Sequence, residues 1–421
     1  MVQAVRGMRD VLPAVARRWQ HVEAVVQRQL LSHAYEAIQL PLLEFTELFA
    51  RGVGEATDIV EKEMYTLADR DGDSLSLRPE GTASCVRALQ EHGLLYNQTQ
   101  RVFYAGPMFR YEKPQKGRYR QFYQIGAEAF GFAGPDVDAE MILMCAGMWR
   151  ELGVLEHVRL ELNTLGDGQA RQAYRAALVD YLTPLAEQLD EDSRRRLQSN
   201  PLRILDAKSE STQALLAQAP QLPDFVDAQS REHFLRLGEL LDAAGVKYLH
   251  NPKLVRGLDY YTHTVFEWIT EDLGAQGTIC AGGRYDGLVE RLGGKPTPAV
   301  GFAIGLDRLL LLHEVAQPVA EQFSDVAADT YVCSLGEHLL AHAQAMADKC
   351  RAAGLRVRLH MGGGNLKKQL KKADASGAVW AVLIGDTEME TATVTLKNLT
   401  DGKQQQVDLA TAISLMSADL S

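Results

Sequence analysis

The sequence predicts an α+β protein of two to three domains, and three stretches carry that expectation. Residues 101–131 read as two β-rich runs joined by a polar loop. Residues 168–230 read as helical and contain no glycine after Gly168. Residues 329–421 alternate strand and helix. A chain of 421 residues is long enough to give each part its own core. Hydrophobic residues make up 46% and charged residues 24%, the balance of an ordinary globular chain. No apolar run approaches the roughly 18 residues of a membrane span, and the opening MVQAVRGMRDVLP lacks the apolar stretch of a signal peptide. Five dispersed cysteines without a Cys-x-x-Cys pair argue for free thiols in a reducing cytoplasm and against a zinc site. The net charge of −11 confines any nucleic-acid binding to local basic patches.

Residues 14–34 form the first expected helix, with Trp19, Val22, Val26 and Leu30 on one apolar face. Residues 38–44 follow as an extended segment, in which Pro41 favours a sheet edge or an interface. A helix followed by such an edge suits pairing across a dimer axis, or a plain surface edge. Residues 75–77 read as a short strand that stops at Pro79, with a helix beginning at Gly81 or Thr82. Glu80 and Thr82 at that junction suit an ammonium group, or serve only as a helix cap.

The hairpin at 101–131 concentrates chemistry. Arg110 ends its first strand, and Lys113, Gln115, Lys116, Arg118 and Arg120 lie in or beside the loop. Gln124 and Glu128 are an even number of residues apart, so both face one side of the second strand. The set fits a ligand with phosphates, a nucleic-acid end and a cationic or hydrogen-bonding head; the plain alternative is an exposed charged hairpin. Residues 138–152 then read as a buried helix and 158–162 as a strand. In 168–230, the charged runs at 193–196 and 206–210 read as solvated faces of an inserted helical subdomain.

Arg256, Tyr260 and Tyr261 precede a strand at 265–268 and form a polar cluster that a core strand would not choose. In the AGGRYDGL run at 281–288, the glycines allow close backbone approach to a ligand or simply a turn, and Tyr285 follows them. An apolar strand near 298–304 leads through Gly305 into a helix starting with Asp307 and Arg308. Arg308 opposes the helix dipole there, which marks it for an anion or for a pairing carboxylate. Residues 315–328 read as a linker. The remainder predicts a β-α-β-α-β module closed by a hairpin at Asp401-Gly402. The glycines at 362–364 lack the Gly-Lys-Ser/Thr ending of a Walker loop. Lys367, Lys368, Lys371 and Lys372 on the following helix suit a phosphate backbone or a solvated face.

Together these motifs closely resemble the bacterial histidyl-tRNA synthetase family, among the class II aminoacyl-tRNA synthetases. FRYE at 109–112 resembles motif 2 of that class, GLDR at 305–308 motif 3, and residues 14–44 the degenerate motif 1. LVRGLDYYTHTVFEW and AGGRYDGL resemble the two peptides peculiar to the histidine enzyme. The likeness spans nearly the whole chain and is weakest in 168–230. It implies an antiparallel catalytic sheet flanked by helices in 1–167 and 231–314, a helical insertion at 168–230, a linker at 315–328 and an α/β anticodon-binding domain at 329–421. It also implies a cytoplasmic homodimer acting on L-histidine, ATP and tRNA(His).

The same resemblance assigns roles. Arg110 would hold the α-phosphate of ATP and Arg308 the γ-phosphate, with Glu112 also at the ATP site. Arg256 would bridge the α-phosphate and the substrate carboxylate. Glu80, Thr82 and Gln124 would hold the α-amino group; Glu128 and Tyr261 would bond the imidazole nitrogens, with Tyr260 and Tyr285 lining the pocket. Magnesium would arrive on ATP as its only companion, with no other cofactor and no dedicated protein cage. Lys113, Gln115, Lys116 and Arg118 would meet the acceptor end of tRNA, and Lys367 and Lys368 its anticodon side. Two alternatives stand beside this. One is a catalytically inactive regulatory subunit of a histidine-pathway phosphoribosyltransferase, expected to lack the C-terminal domain and part of the arginine set. The other is a class II synthetase for threonine or proline, against which the tyrosine-rich peptide speaks.

Overall fold

The structure, a computed structural model, describes residues 2–418 except 56, 206, 208, 275, 276 and 319–327. Most of the expected linker, and Asp206 and Lys208 of the expected charged face, lie outside the described residues. The chain divides into two compact units, 1–318 and 319–421. In the first unit the strands are Glu36–Ala37 (β1), Leu43–Phe45 (β2), Tyr65–Ala68 (β3), Ser74–Leu77 (β4), Gln100–Phe109 (β5), Gln121–Phe130 (β6), Arg159–Thr164 (β7), Tyr248–His250 (β8), Thr262–Ile269 (β9), Thr278–Arg284 (β10) and Ala299–Gly305 (β11). In the second they are Thr330–Ser334 (β12), Val357–Leu359 (β13), Trp380–Ile384 (β14), Val394–Asn398 (β15) and Gln404–Val407 (β16).

An eight-stranded sheet in the order β1-β5-β6-β11-β10-β9-β7-β8 organises the first unit. Its interior pairs are antiparallel, while the short edge strands β1 and β8 pair parallel to β5 and β7. The sheet is therefore mixed at its edges rather than wholly antiparallel. The period-2 rule explains how one strand serves two layers. Ile125, Ala127 and Ala129 of β6 enter a helix-covered core with Trp19, Val22, Met141 and Leu309. Gln124 and Glu128 consequently face the opposite side. Each large aliphatic side chain so buried contributes about 1.5–3 kcal/mol.

Helix Pro13–Ser32 buries Trp19, Val22, Val26 and Leu30 within this core, so the apolar face expected to serve a dimer axis is consumed inside the chain. The extended segment after it splits: β1 joins the large sheet, β2 joins a small one, and Pro41 lies between them in neither. The small sheet, β2-β4-β3, carries the apolar surface instead. Its register aligns Leu43, Leu77 and Tyr65, and next to them Phe45, Leu75 and Leu67, on one face. Phe45 is 60% exposed there and Leu67 43%.

The AGGRYDGL glycines are also placed differently from a turn. Gly282 and Gly283 lie inside β10, and a Cβ at Gly282 would overlap Phe266 and Phe302. Strand packing demands these glycines, and Arg284 beyond them is buried against Asp138. The 168–230 block contains helices Gly168–Leu182, Glu191–Ser199 and Glu210–Leu216. Its Tyr174, Leu178 and Leu197 join the same hydrophobic core as Val86, Tyr104, Phe130 and Tyr285, so it packs into the unit rather than forming a core of its own.

The second unit is a five-stranded sheet, β13-β12-β14-β15-β16. Its first three strands run parallel, as the crossovers require, and Gly402 (φ 76°) turns the antiparallel β15–β16 hairpin. Asn365 caps the lysine-bearing helix Leu366–Ala375 by accepting from the Lys368 N–H at 3.0 Å. A closing helix, Leu409–Ala418, was not foretold by the sequence pattern.

Candidate active site

One cleft in the first unit gathers side chains from β5, β6, β10, β11, helix Thr82–Glu91 and the 256–261 segment. It encloses about 970 Å³, open mouth included. Its inner end is built around Glu128, which is fully buried. Thr82 Oγ1 donates to Glu128 Oε1 at 2.7 Å and the Tyr104 hydroxyl donates to the same atom at 2.9 Å. The Tyr285 hydroxyl donates to Oε2. Burial pushes the Glu128 carboxyl up to about 8 despite these donors, and neighbouring Glu80 adds to the rise. A donor or cation arriving here would restore the carboxylate.

Glu80 performs a second task. Its carboxylate accepts from the N–H groups of Thr82 at 2.9 Å and Ala83 at 2.8 Å, capping the following helix while it lines the cleft. The Tyr260 hydroxyl reaches it at 3.4 Å. Burial raises the Glu80 pKa. The rings of Tyr260, Tyr261 and Tyr285 stand together, with Tyr260 and Tyr261 centroids 4.7 Å apart, as a wall for a small flat group. Burial raises all three hydroxyl pKa values, so they remain protonated donors.

The outer end is cationic. Arg110 donates from Nε to the Pro79 carbonyl at 2.9 Å and stacks over Phe122. Arg308 donates to the carbonyls of Gly117 at 3.1 Å and Thr278 at 2.8 Å, and among the described residues it pairs with no carboxylate. Burial, with Arg118 and Arg110 nearby, lowers its pKa to about 10. Like charges crowded in a partly desolvated cleft are stabilised by an anion. Arg118, expected at the tRNA, lines this cleft and pairs with Glu112 at 2.8 Å.

Between the two ends, Arg256 pairs with Glu267, and its guanidinium lies 5.8 Å from the centre of the Tyr261 ring. Two buried polar atoms of the cleft have no hydrogen-bond partner among the described residues: the Arg256 Nε donor and the Gln124 Oε1 acceptor. A free donor and a free acceptor lining one cleft complement the carboxylate and ammonium of a zwitterionic amino acid.

The cleft thus brings together Glu80, Thr82, Arg110, Glu112, Gln124, Glu128, Arg256, Tyr260, Tyr261, Tyr285 and Arg308 from eleven expected positions scattered over the sequence. Lys113, Gln115 and Lys116 are exposed on the hairpin loop and are not part of its lining. Lys367 and Lys368 are exposed in the second unit. Sequence reading missed Tyr104, Glu267 and Asp307. Tyr104 had a readable signal: it pairs with Gly126 across the β5–β6 hairpin, and a Cβ at Gly81 or Gly126 would overlap its ring. Glu267 and Asp307 gave none, since each looks like an ordinary strand or helix-start carboxylate.

Comparison with known proteins agrees with this layout. The family model described as histidyl-tRNA synthetase matches residues 7–309, and that described as anticodon binding domain matches residues 329–419. The apo histidyl-tRNA synthetase of S. aureus is 33% identical, with TM-score 0.82, covering 99% of this chain and 100% of that one. The histidyl-tRNA synthetase of Nostoc sp. is 20% identical with TM-score 0.73, covering all of both chains. A Bacillus halodurans protein described as an ATP phosphoribosyltransferase regulatory subunit/histidyl-tRNA synthetase is 22% identical with TM-score 0.66, covering 91% of this chain and 98% of that one. The last two speak to fold alone.

Proposed function

The chain belongs to the histidyl-tRNA synthetase family, and from that premise we propose that it activates L-histidine with ATP and transfers it to the 3′ end of tRNA(His). The observation that carries this reading is that the unpaired Gln124 Oε1 and Arg256 Nε line the same cleft as a buried carboxylate and an arginine cluster. Glu128 and Tyr261 bond the two imidazole nitrogens, Tyr260 and Tyr285 frame the ring, and Glu80, Thr82 and Gln124 receive the ammonium group. Arg110 holds the ATP α-phosphate and Arg308 the γ-phosphate, with Glu112 placing Arg118 beside them.

The first step joins a histidine carboxylate oxygen to the α-phosphorus and breaks the bond to pyrophosphate. Two anions must meet, and Arg110 and Arg256 screen that repulsion and stabilise the charge of the transition state. In the second step the terminal ribose hydroxyl of tRNA attacks the histidyl carbonyl and AMP departs. Among the described residues no group of three His, Cys, Asp or Glu is arranged to hold a metal. Magnesium is instead proposed to enter on ATP phosphate oxygens, where it would neutralise phosphate charge. The exposed Lys113, Gln115 and Lys116 are assigned to the tRNA acceptor end, and Lys367 and Lys368 to the anticodon side, consistent with the match to an anticodon binding domain. The apolar face of the small sheet supports a homodimer. All five cysteines are free, which supports a cytoplasmic setting, and no described helix is long and apolar enough to cross a membrane.

The deciding experiment is ATP–pyrophosphate exchange with each amino acid in turn. Exchange stimulated by histidine alone is expected. Tight histidine binding without exchange would instead favour the regulatory-subunit reading.

A further inference from the structure

We propose that Arg9 is a positioning residue for the anionic end of the cleft, holding the Asp307 carboxylate away from Arg308 so that Arg308 stays available to a polyphosphate. The proposal rests on the reading of that end as the ATP site. Asp307 and Arg308 are consecutive at the start of helix Leu306–Ala316, and the Asp307 side chain is only 5% exposed. Asp307 is near enough for its charge to raise the pKa of the half-buried Arg308, so a free Asp307 oxygen would compete with an anion for that guanidinium. Here both Asp307 oxygens are already engaged. Oδ1 accepts from Arg9 Nη2 at 2.6 Å, and Oδ2 accepts from the Tyr123 N–H at 2.8 Å. Arg308 is left to backbone carbonyls.

Arg9 is itself held in place. Its guanidinium stacks 4.4 Å above the Tyr119 ring, which lines the cleft. Two residues before it, the Gly7 carbonyl accepts from the Arg120 N–H at 2.8 Å. Gly7 has φ 86°, and a Cβ there would lie 2.8–2.9 Å from the side chains of Arg120 and Pro114. The N-terminal segment is thus fitted against the hairpin loop, and Arg9 reaches across 298 residues of sequence to Asp307. Loss of Arg9 frees one Asp307 oxygen. That oxygen is then drawn toward Arg308, whose charge Asp307 already supports, and ATP competes with an internal carboxylate.

The test compares the parent with Arg9→Ala and Arg9→Lys, measuring KM for ATP and for histidine in pyrophosphate exchange, ATP affinity by calorimetry, and Tm. Arg9→Ala is expected to raise the ATP KM and Kd by roughly tenfold, the scale of one charge-assisted hydrogen bond, with the histidine KM within about twofold. Arg9→Lys should recover most of the loss. Equal ATP affinity in Arg9→Ala and parent would overturn the proposal. So would a parallel loss of ATP and histidine affinity with a lowered Tm, which marks a merely structural contact. A parent without exchange defeats the functional reading but leaves calorimetry to decide Arg9, and a parent that binds no ATP defeats both.

Discussion

Gly301 stands directly opposite Glu128 in the β6–β11 ladder, and a Cβ at Gly301 would overlap the Glu128 carboxylate. The absence of a side chain on one strand therefore makes room for the functional group on the next. Gly301→Ala should displace Glu128 and weaken histidine binding at least about tenfold, by the loss of a buried charge-assisted hydrogen bond. ATP affinity should stay within about twofold. Titration calorimetry with each ligand checks this, and unchanged histidine affinity in a folded variant would reject the assignment.

Glu128 also sets a pH dependence. Its pKa is about 8 in the folded chain against 4.5 for an ordinary glutamate. Between those values the native state holds a proton that the unfolded chain has released, so stability falls as pH rises through this window. Glu128→Gln removes the titration and keeps an acceptor oxygen for Thr82 and Tyr104, while its amide N–H group faces the Tyr285 oxygen, which can accept in turn. Relative to this variant, the parent should lose Tm steadily from pH 5 to pH 8. Parallel Tm profiles for the two proteins would show that Glu128 does not titrate there.

For Arg256, removal of one preorganised charge typically costs about 10²- to 10³-fold in rate. Arg256→Ala should slow single-turnover adenylate formation by that much, with histidine binding weakened less. Its neighbour Glu267 keeps a hydrogen bond from Thr278, at 3.0 Å, which limits the structural damage. Near-normal adenylation by the variant would remove Arg256 from the mechanism.

Phe45→Glu or Leu67→Glu places a charge on the apolar face of the small sheet. Either should weaken self-association by about two orders of magnitude, as removal of a central apolar anchor does. Light scattering over a concentration series reads the outcome. A parent that is monomeric at micromolar concentration would end the dimer proposal.

Two tRNA tests separate the patches. Gln115→Ala should slow transfer to tRNA while leaving pyrophosphate exchange intact, because Gln115 lies outside the cleft lining. Neutralising Lys367, Lys368, Lys371 and Lys372 together should weaken tRNA binding and flatten its salt dependence, by roughly one unit of slope for each phosphate left without its lysine. An unchanged salt slope would place the anticodon-side binding surface elsewhere.

The sequence made strongly patterned elements legible for a physical reason. The β5–β6 hairpin declares its faces through alternation, so spacing alone puts Gln124 and Glu128 on one side. Arg308 was legible because an arginine in a first helical turn opposes the dipole. Relations across the sheet were not legible. Gly282 and Gly283 look like a turn until Phe266 and Phe302 are seen against the first and the Thr264 carbonyl against the second. The Trp19–Leu30 stripe could have served a partner or the chain's own core, since periodicity reports an apolar face and not what covers it.

Glu80 carries the widest consequence. One carboxylate ties down the first turn of a helix and also forms part of the wall that meets the ligand. Tolerance to mutation and selectivity are therefore linked at this position. A substitution selected to accept a different amino acid would fray its own scaffold, and a substitution selected to rigidify the helix would alter what the cleft admits. Repurposing this pocket has to begin by supplying the helix with another cap.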